Sequence, residues 1–335
     1  MFKFYKLIFF LSMIFGSLIT ISSYSWLSMW MGLEINLLSI IPLLSDIKNL
    51  YPSESALKYF ITQALASGIL LFSMILSLNL NDFILSNESV SMILNSALLT
   101  KIGAAPFHAW FPEVMEGLNW MNGLIMLTWQ KIAPMMIIFL ISSLTNFILM
   151  IILISTIISG ILGLNQISMR KIMTYSSINH ISWMLASMLN FQNIWTFYFM
   201  IYSIISINIV LILNQMQIYY LNQFTNSLNF NKKFKFFFIL NFLSLGGLPP
   251  FLGFLPKWLV INNLVQNNFF LLSFILITFT LITLFFYLRI TFSTLMIYSS
   301  ESLIYINKSQ NMIIILFNFI SLAGLLACTL MLNFS

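Results

Sequence analysis

Apolar residues run through this chain in stretches of about 20, the length that crosses a bilayer as one helix, and short polar or Pro/Gly clusters separate them. Breaking the sequence at those clusters predicts eleven helices, near 3–22, 26–45, 56–79, 85–117, 122–142, 147–165, 171–190, 194–221, 234–262, 268–292 and 311–333. Such a chain is an all-α polytopic membrane protein. The first segment has Lys3 and Lys6 ahead of an apolar run, as a signal peptide does, but Ser22, Ser23 and Tyr24 make a poor cleavage site. It is expected to remain as helix 1.

With eleven spans, the N-terminus and the loops after the even-numbered helices share one side of the membrane. Lys3, Lys6, Lys48, Arg170, Lys171, Lys232, Lys233, Lys235 and Lys308 all fall there. The opposite loops carry Asn81-Asp82, Asn87-Glu88, Thr145-Asn146, Gln192-Asn193 and Asn262-Asn263, without a Lys or Arg. By the positive-inside rule this asymmetry puts the N-terminus in the matrix or cytoplasm and the C-terminus outside, and a single miscounted helix would scramble it.

Composition narrows the chemistry. Of 335 residues, 60% are apolar and 7% charged, against about 25% charged in soluble chains, so a water-soluble catalytic domain is excluded. One cysteine, Cys328, and two histidines are too few for an Fe–S cluster or a bis-His haem with anything further. The net charge of +6 is a topology signal in a chain of spans, and nucleic acid is not expected as a partner. Abundant Phe, Met, Ile and Asn with scarce Val and Arg follow AT-rich codon usage, which suggests an organelle gene.

Ionisable residues inside spans are expensive, at about 2.5–3.5 kcal/mol each at a helix centre, and so point to function. Glu34 lies mid-depth in helix 2, and Lys131 mid-span in Trp129-Gln130-Lys131-Ile132-Ala133-Pro134. Segment 85–117 is 33 residues, or about 50 Å at 1.5 Å each, longer than one crossing requires. It must break at Gly103-Ala104-Ala105-Pro106, leaving Lys101 at the end of the first half-helix, against the negative end of its dipole. A lysine desolvated in this way can surrender its proton and act as a carrier.

Helix 9 repeats the device: Gly246-Gly247-Leu248-Pro249-Pro250 interrupts 234–262, and Lys257 follows. Helices 4 and 9 are the fourth members of two five-helix sets, and a set with an odd number of helices inserts upside down relative to its twin. Paired broken helices at corresponding positions point to two inverted repeats, over 1–142 and 143–292, with 293–335 adding a loop and a C-terminal helix. His180, midway along helix 7 among Ser176, Ser177, Asn179 and Ser182, has the chemistry of a proton relay. His108, Glu113 and Glu116 follow the first break and suit either orientation of that break or proton entry. Lys58 and Arg289, near helix ends, read mainly as snorkelling side chains.

At these residues the chain resembles the antiporter-like membrane subunits of respiratory NADH:ubiquinone oxidoreductase. The likeness rests on Trp30-Met31-Gly32-Leu33-Glu34-Ile35-Asn36, Ser55-Ala56-Leu57-Lys58-Tyr59-Phe60, Lys101-Ile102-Gly103-Ala104-Ala105-Pro106-Phe107-His108, Ser176-Ser177-Ile178-Asn179-His180 and Gly246-Gly247-Leu248-Pro249-Pro250. It implies a membrane-arm subunit of mitochondrial complex I, coupling NADH-to-ubiquinone electron transfer to proton translocation. It further implies that Glu34 pairs with Lys101, that Lys131 is the central lysine, that His180 bridges, and that Lys257 serves the exit side. No cofactor or metal is implied on this chain, with FMN, Fe–S clusters and ubiquinone on other subunits. The partners implied are neighbouring antiporter-like and small membrane chains, and lipids. Bacterial relatives carry three more N-terminal helices, and the shorter form fits the animal mitochondrial type. Two rivals share the broken helices and charges: a subunit of a multi-subunit cation/proton antiporter, against which the organelle-like composition speaks, and a non-conducting scaffold.

The charge asymmetry gives a direct test. Protease added to mitoplasts with an intact inner membrane should spare the loop bearing Lys232, Lys233 and Lys235, and cleavage there would overturn the orientation.

Overall fold

The computed structural model describes residues 4–46, 49–79, 87–141, 145–189, 192–221, 223, 232–249 and 251–295. Among them the regular elements are α-helices, apart from an isolated antiparallel bridge between Ser168 and Tyr220. Seven stretches of described helix are long and apolar enough to cross a membrane. The span expected over 311–333 lies outside the described residues, as do Lys3, Lys48, Asn81, Asp82, Pro250 and Lys308.

The chain divides into two compact units, Met1–Ile151 and Ile152–Ser335. The first holds α1 (Phe4–Ser22), α2 (Trp26–Leu44), α3 (Leu50–Asn79), α4 (Asn87–Ile102), α5 (Trp110–Gly117), α6 (Trp120–Leu127) and α7 (Trp129–Ile141). The unit boundary falls inside α8 (Thr145–Leu164). The second unit continues with α9 (Met169–Met188), α10 (Gln192–Met216), α11 (Lys232–Gly246), α12 (Phe254–Gln266) and α13 (Phe270–Leu295).

In the first unit α1 lies on α2 at backbone contact. A Cβ built on Gly32 would sit 2.9 Å from Gly16 O and 2.9 Å from Thr20 N, and one on Gly16 would sit 2.9 Å from Asn36 N. Apolar side chains gain little by association when the solvent is itself apolar, so membrane helices bind best where small residues let backbones meet. Gly32 and Asn36 belong to the helix that carries Glu34, so this contact also fixes where that carboxyl stands.

The second unit is organised around α9, which is buried continuously from residue 172 to 188 and packs against α10, α12 and α13. A helix wrapped on all sides can carry polar residues if their hydrogen bonds close locally. The hydroxyls of Ser176, Ser177, Ser182 and Ser187 do this, donating to the carbonyls of Met173, Thr174, Asn179 and Met184 at 2.6–2.7 Å.

Four helix limits differ from the sequence reading. Helix 3 begins at Leu50, because Pro52 fits a first turn whose N–H groups have no intrahelical partner; Lys58 therefore sits two turns inside the helix. Helix 5 divides at Thr128, whose hydroxyl donates to Leu124 O at 2.8 Å, and Pro134 then denies the Gln130 carbonyl its usual donor. The eighth predicted helix stops at Met216: Gln217 turns left-handed (φ 55°) and Ile218 N donates back to Leu213 O at 3.2 Å. The strand-like segment after it pairs with the loop before α9, through Met169 N to Tyr219 O at 2.9 Å and Leu221 N to Ile167 O at 3.2 Å. The half-helix after the second break extends to Gln266. Arg289 is a staple: its guanidinium donates to Leu164 O and Gln166 O, both at 2.7 Å, closing the C-terminal end of α8.

The α1–α2 contact predicts unequal effects of one substitution at two glycines. Gly32→Ala drives a methyl into backbone atoms and should cost about 1–3 kcal/mol, seen as reduced assembled complex on native gels. Gly68→Ala, whose Cβ would meet nothing within 4 Å, should be neutral or stabilising, since alanine is the better helix former.

Candidate functional site

Both breaks are built alike. At the first, Gly103 takes φ 80°, Gly103 N donates to Thr100 O at 3.2 Å and Ala104 N to Leu99 O at 3.1 Å. At the second, Gly247 takes φ 77°, Gly247 N donates to Ser244 O at 3.0 Å and Leu248 N to Leu243 O at 3.3 Å. Only glycine enters this left-handed region without strain. The sequences superpose as Gly-x-x-Pro-Phe, with Pro112-Glu113 of the first matched by Pro256-Lys257 of the second. This finer repeat was legible in the sequence and was missed by reading the breaks only as Pro/Gly clusters.

In the first unit Lys101 stands in the last turn of α4 and is 7% exposed, while Lys131 in α7 is 1% exposed. Glu34, expected as the partner of Lys101, is half-buried on α2. Among the described residues no ion-pair contact joins the two. Lys101 borders a small cavity with Asn36, Tyr59, Gln63 and Gln130, with room for about one water. Gln130 Nε2 donates to Asn36 Oδ1 at 2.8 Å and Tyr59 OH to Gln130 Oε1 at 3.4 Å, while Gln63 Nε2 reaches Lys101 O at 3.4 Å. Gln130 directly precedes Lys131, so a polar network leads from the first lysine to the neighbour of the second.

Lys131 itself faces the break. Its Nζ lies 5.7 Å from the centre of the Phe111 ring, within range of a cation–π attraction. The missing Cβ of Gly103 admits that ring, whose Cδ1 would lie 3.3 Å from it.

In the second unit Lys257 is 7% exposed and turns back onto the broken helix, donating to Gly246 O at 2.8 Å and Leu245 O at 3.3 Å. Its stem crosses Gly247, where any Cβ would lie 2.8 Å from Lys257 Cδ, and its Nζ is 5.9 Å from the centre of the Trp183 ring. His180, 6% exposed, has Nδ1 at 2.9 Å from Tyr198 OH. A second small cavity is lined by His180, Tyr198, Tyr202, Ser244, Leu245 and Pro256 among others. Leu245, one of the two residues whose carbonyls accept from Lys257, and His180 thus line one space.

The secondary candidates stand apart from these clusters. Lys58 bridges Glu54 at 3.1 Å and Glu113 at 3.3 Å, with all three side chains substantially exposed; the contact ties α3 to α5 and, being solvated, carries little energy. His108 is half-buried with Nδ1 at 3.3 Å from Pro106 O, and Glu116 is half-buried on α5. The sequence reading overlooked Asn36, Tyr59, Gln63, Gln130 and Tyr198 as members of the clusters. Their signal was amide and phenol groups inside otherwise apolar spans. Among the described residues no group of three His, Cys, Asp or Glu side chains could hold a metal ion.

The family model described as NADH:quinone oxidoreductase/Mrp antiporter, transmembrane, matches residues 23–283, a range that takes in both breaks and the candidates Glu34, Lys101, Lys131, His180 and Lys257. The chain belongs to this family. Within the family it is 51% identical over 325 residues to NADH-ubiquinone oxidoreductase chain 2 of Anopheles gambiae, covering 95% of both chains. It is 53% identical over 330 residues to chain 2 of Aedes aegypti, covering 96% of both. A chain of the solved respiratory complex I from Thermus thermophilus with bound aureothin shares its fold, with a TM-score of 0.87, 21% identity, and 99% of this chain covered against 80% of that one.

A carboxylate near a buried ammonium offsets part of the cost of keeping that charge out of water, which is the role expected of Glu34 toward Lys101. Glu34→Gln should therefore reduce assembled complex by about 1–3 kcal/mol of stability, less than the 3–5 typical of a contacting buried pair. Glu34→Gln combined with Lys101→Met should recover much of that loss. Native-gel yield of the two variants checks the sign.

Proposed function

We propose that the chain is a membrane-arm subunit of respiratory complex I in the mitochondrial inner membrane, and that it helps convert the energy of NADH-to-ubiquinone electron transfer into proton translocation. Eleven spans make up its fold: inverted five-helix repeats over 1–142 and 143–292 and a last helix within 293–335. The N-terminus faces the matrix and the C-terminus the intermembrane space. The chain holds no redox centre of its own, and FMN, Fe–S clusters and ubiquinone belong to other subunits. Neighbouring antiporter-like and small membrane chains, together with lipids, surround it.

The observation that carries this reading is the placing of three buried lysines at helix interruptions, in a chain half identical to chain 2 relatives. A lysine that only decorated a span would snorkel to an interface. Lys101, Lys131 and Lys257 instead end against broken backbone, an aromatic face or a polar cavity, where the cost of the ammonium is partly offset and its proton can be given up or regained. In the first unit Glu34, Lys101 and Lys131 would carry the proton, with the Asn36–Gln130–Tyr59 network as a bridge. In the second, His180 and Lys257 would do so. Withdrawal of Glu34 from Lys101 would gate the step, since one charge crossing the field is worth about 2.3 kcal/mol per 100 mV.

Lys131→Met keeps the length of the side chain and removes its exchangeable proton. The assembled variant should show coupled turnover slowed by about tenfold or more and fewer protons moved per NADH oxidised in sealed inner-membrane vesicles. Wild-type turnover with wild-type proton yield would leave the subunit a scaffold.

A further inference from the structure

His180 is enclosed by hydroxyls from two other helices. Tyr198 and Tyr202 come from α10, and both rings touch the imidazole, with centroids 5.9 Å and 4.9 Å away. Tyr287 comes from α13 and lies near Ser176, while Tyr202 lies near Ser177. Both serines lie one turn before His180 on α9. The hydroxyl of Tyr198 is directed at the imidazole itself, 2.9 Å from Nδ1. Tyr198 is 1% exposed, yet it borders the cavity shared by His180, Ser244 and Leu245. It therefore touches both the imidazole and a cavity of about one water's size.

We infer that Tyr198 is the hydroxyl through which His180 exchanges its proton with that cavity. This rests on the reading of His180 as a relay. The step balances without a net charge on the phenol: the imidazolium Nδ1–H passes its proton to the Tyr198 oxygen as the phenolic hydrogen leaves for a water in the cavity, giving a neutral ring and a protonated water that hands the charge on, and the reverse sequence reloads the ring. An imidazole takes up and releases protons near neutral pH, whereas a phenol does so only near pH 10; the phenol thus serves as a conduit and the histidine as the store. The route ends beside Leu245, whose carbonyl holds Lys257 Nζ. Tyr202, tilted against the same imidazole, is packing for this purpose.

The test is Tyr198→Phe in the intact complex, compared with Tyr202→Phe, His180→Gln and the Tyr198→Phe/His180→Gln pair. Both phenylalanine variants keep a ring on the imidazole, so each should assemble. Tyr198→Phe should slow coupled turnover about two- to tenfold, the range that one neutral hydrogen bond commands, with a raised solvent deuterium isotope effect because proton transfer becomes limiting. Tyr202→Phe should match wild type in both respects, and the double variant should be no slower than His180→Gln alone. Wild-type rate and isotope effect in Tyr198→Phe, or equal losses in the two phenylalanine variants, would overturn the inference while leaving His180 as a relay. Wild-type proton yield in His180→Gln would instead remove the relay itself.

Discussion

A helix broken inside a membrane exposes carbonyls that no water can reach, and each must find a donor or cost several kcal/mol. Much of this structure answers that constraint. At the first break, Thr100 O accepts from Gly103 N and from Trp110 Nε1, and Lys101 O accepts from Gln63. At the second, Lys257 supplies donors to Leu245 O and Gly246 O. The same need that makes a break costly thus recruits indole, amide and ammonium groups to it.

The two units meet the constraint with different chemistry. In the second, the cation itself caps the broken helix, so the ammonium and the helix dipole offset each other. In the first, the corresponding residue is Glu113, which points out to Lys58, and neutral donors cap the break instead. Lys101 is left to border a cavity and Lys131 to face the Phe111 ring. On the proposed reading this difference matters for mechanism: a lysine bound to carbonyls is held in place, whereas one beside a cavity and a distant carboxylate is more easily discharged.

Packing and polar chemistry are coupled through small residues. Gly16 and Gly32 bring α1 against α2 and so fix the helix of Glu34; Gly103 admits the Phe111 ring and Gly247 admits the stem of Lys257. Along α9, serine hydroxyls bonded to their own helix's carbonyls let a polar face stay buried beside His180. Each of these contacts helps to fix the position of a charged or titratable group.

The all-helical character, the buried lysines and the breaks at Gly103 and Gly247 could be read from the sequence, because hydrophobic periodicity, the cost of charge in hydrocarbon and the torsional restrictions around proline and glycine are local properties. The split of helix 5 at Thr128 and the end of α10 at Met216 were less legible: the first depends on a hydroxyl competing for a backbone carbonyl, the second on a left-handed residue followed by pairing with a distant loop. The partners of the charges were not legible at all. That Gln130 bonds Asn36 across 94 residues, that Arg289 staples α8 across more than 120, and that Tyr198 meets His180 are outcomes of helix packing. A single helix presents its polar groups without naming their partners, and only the tertiary arrangement brings donor to acceptor.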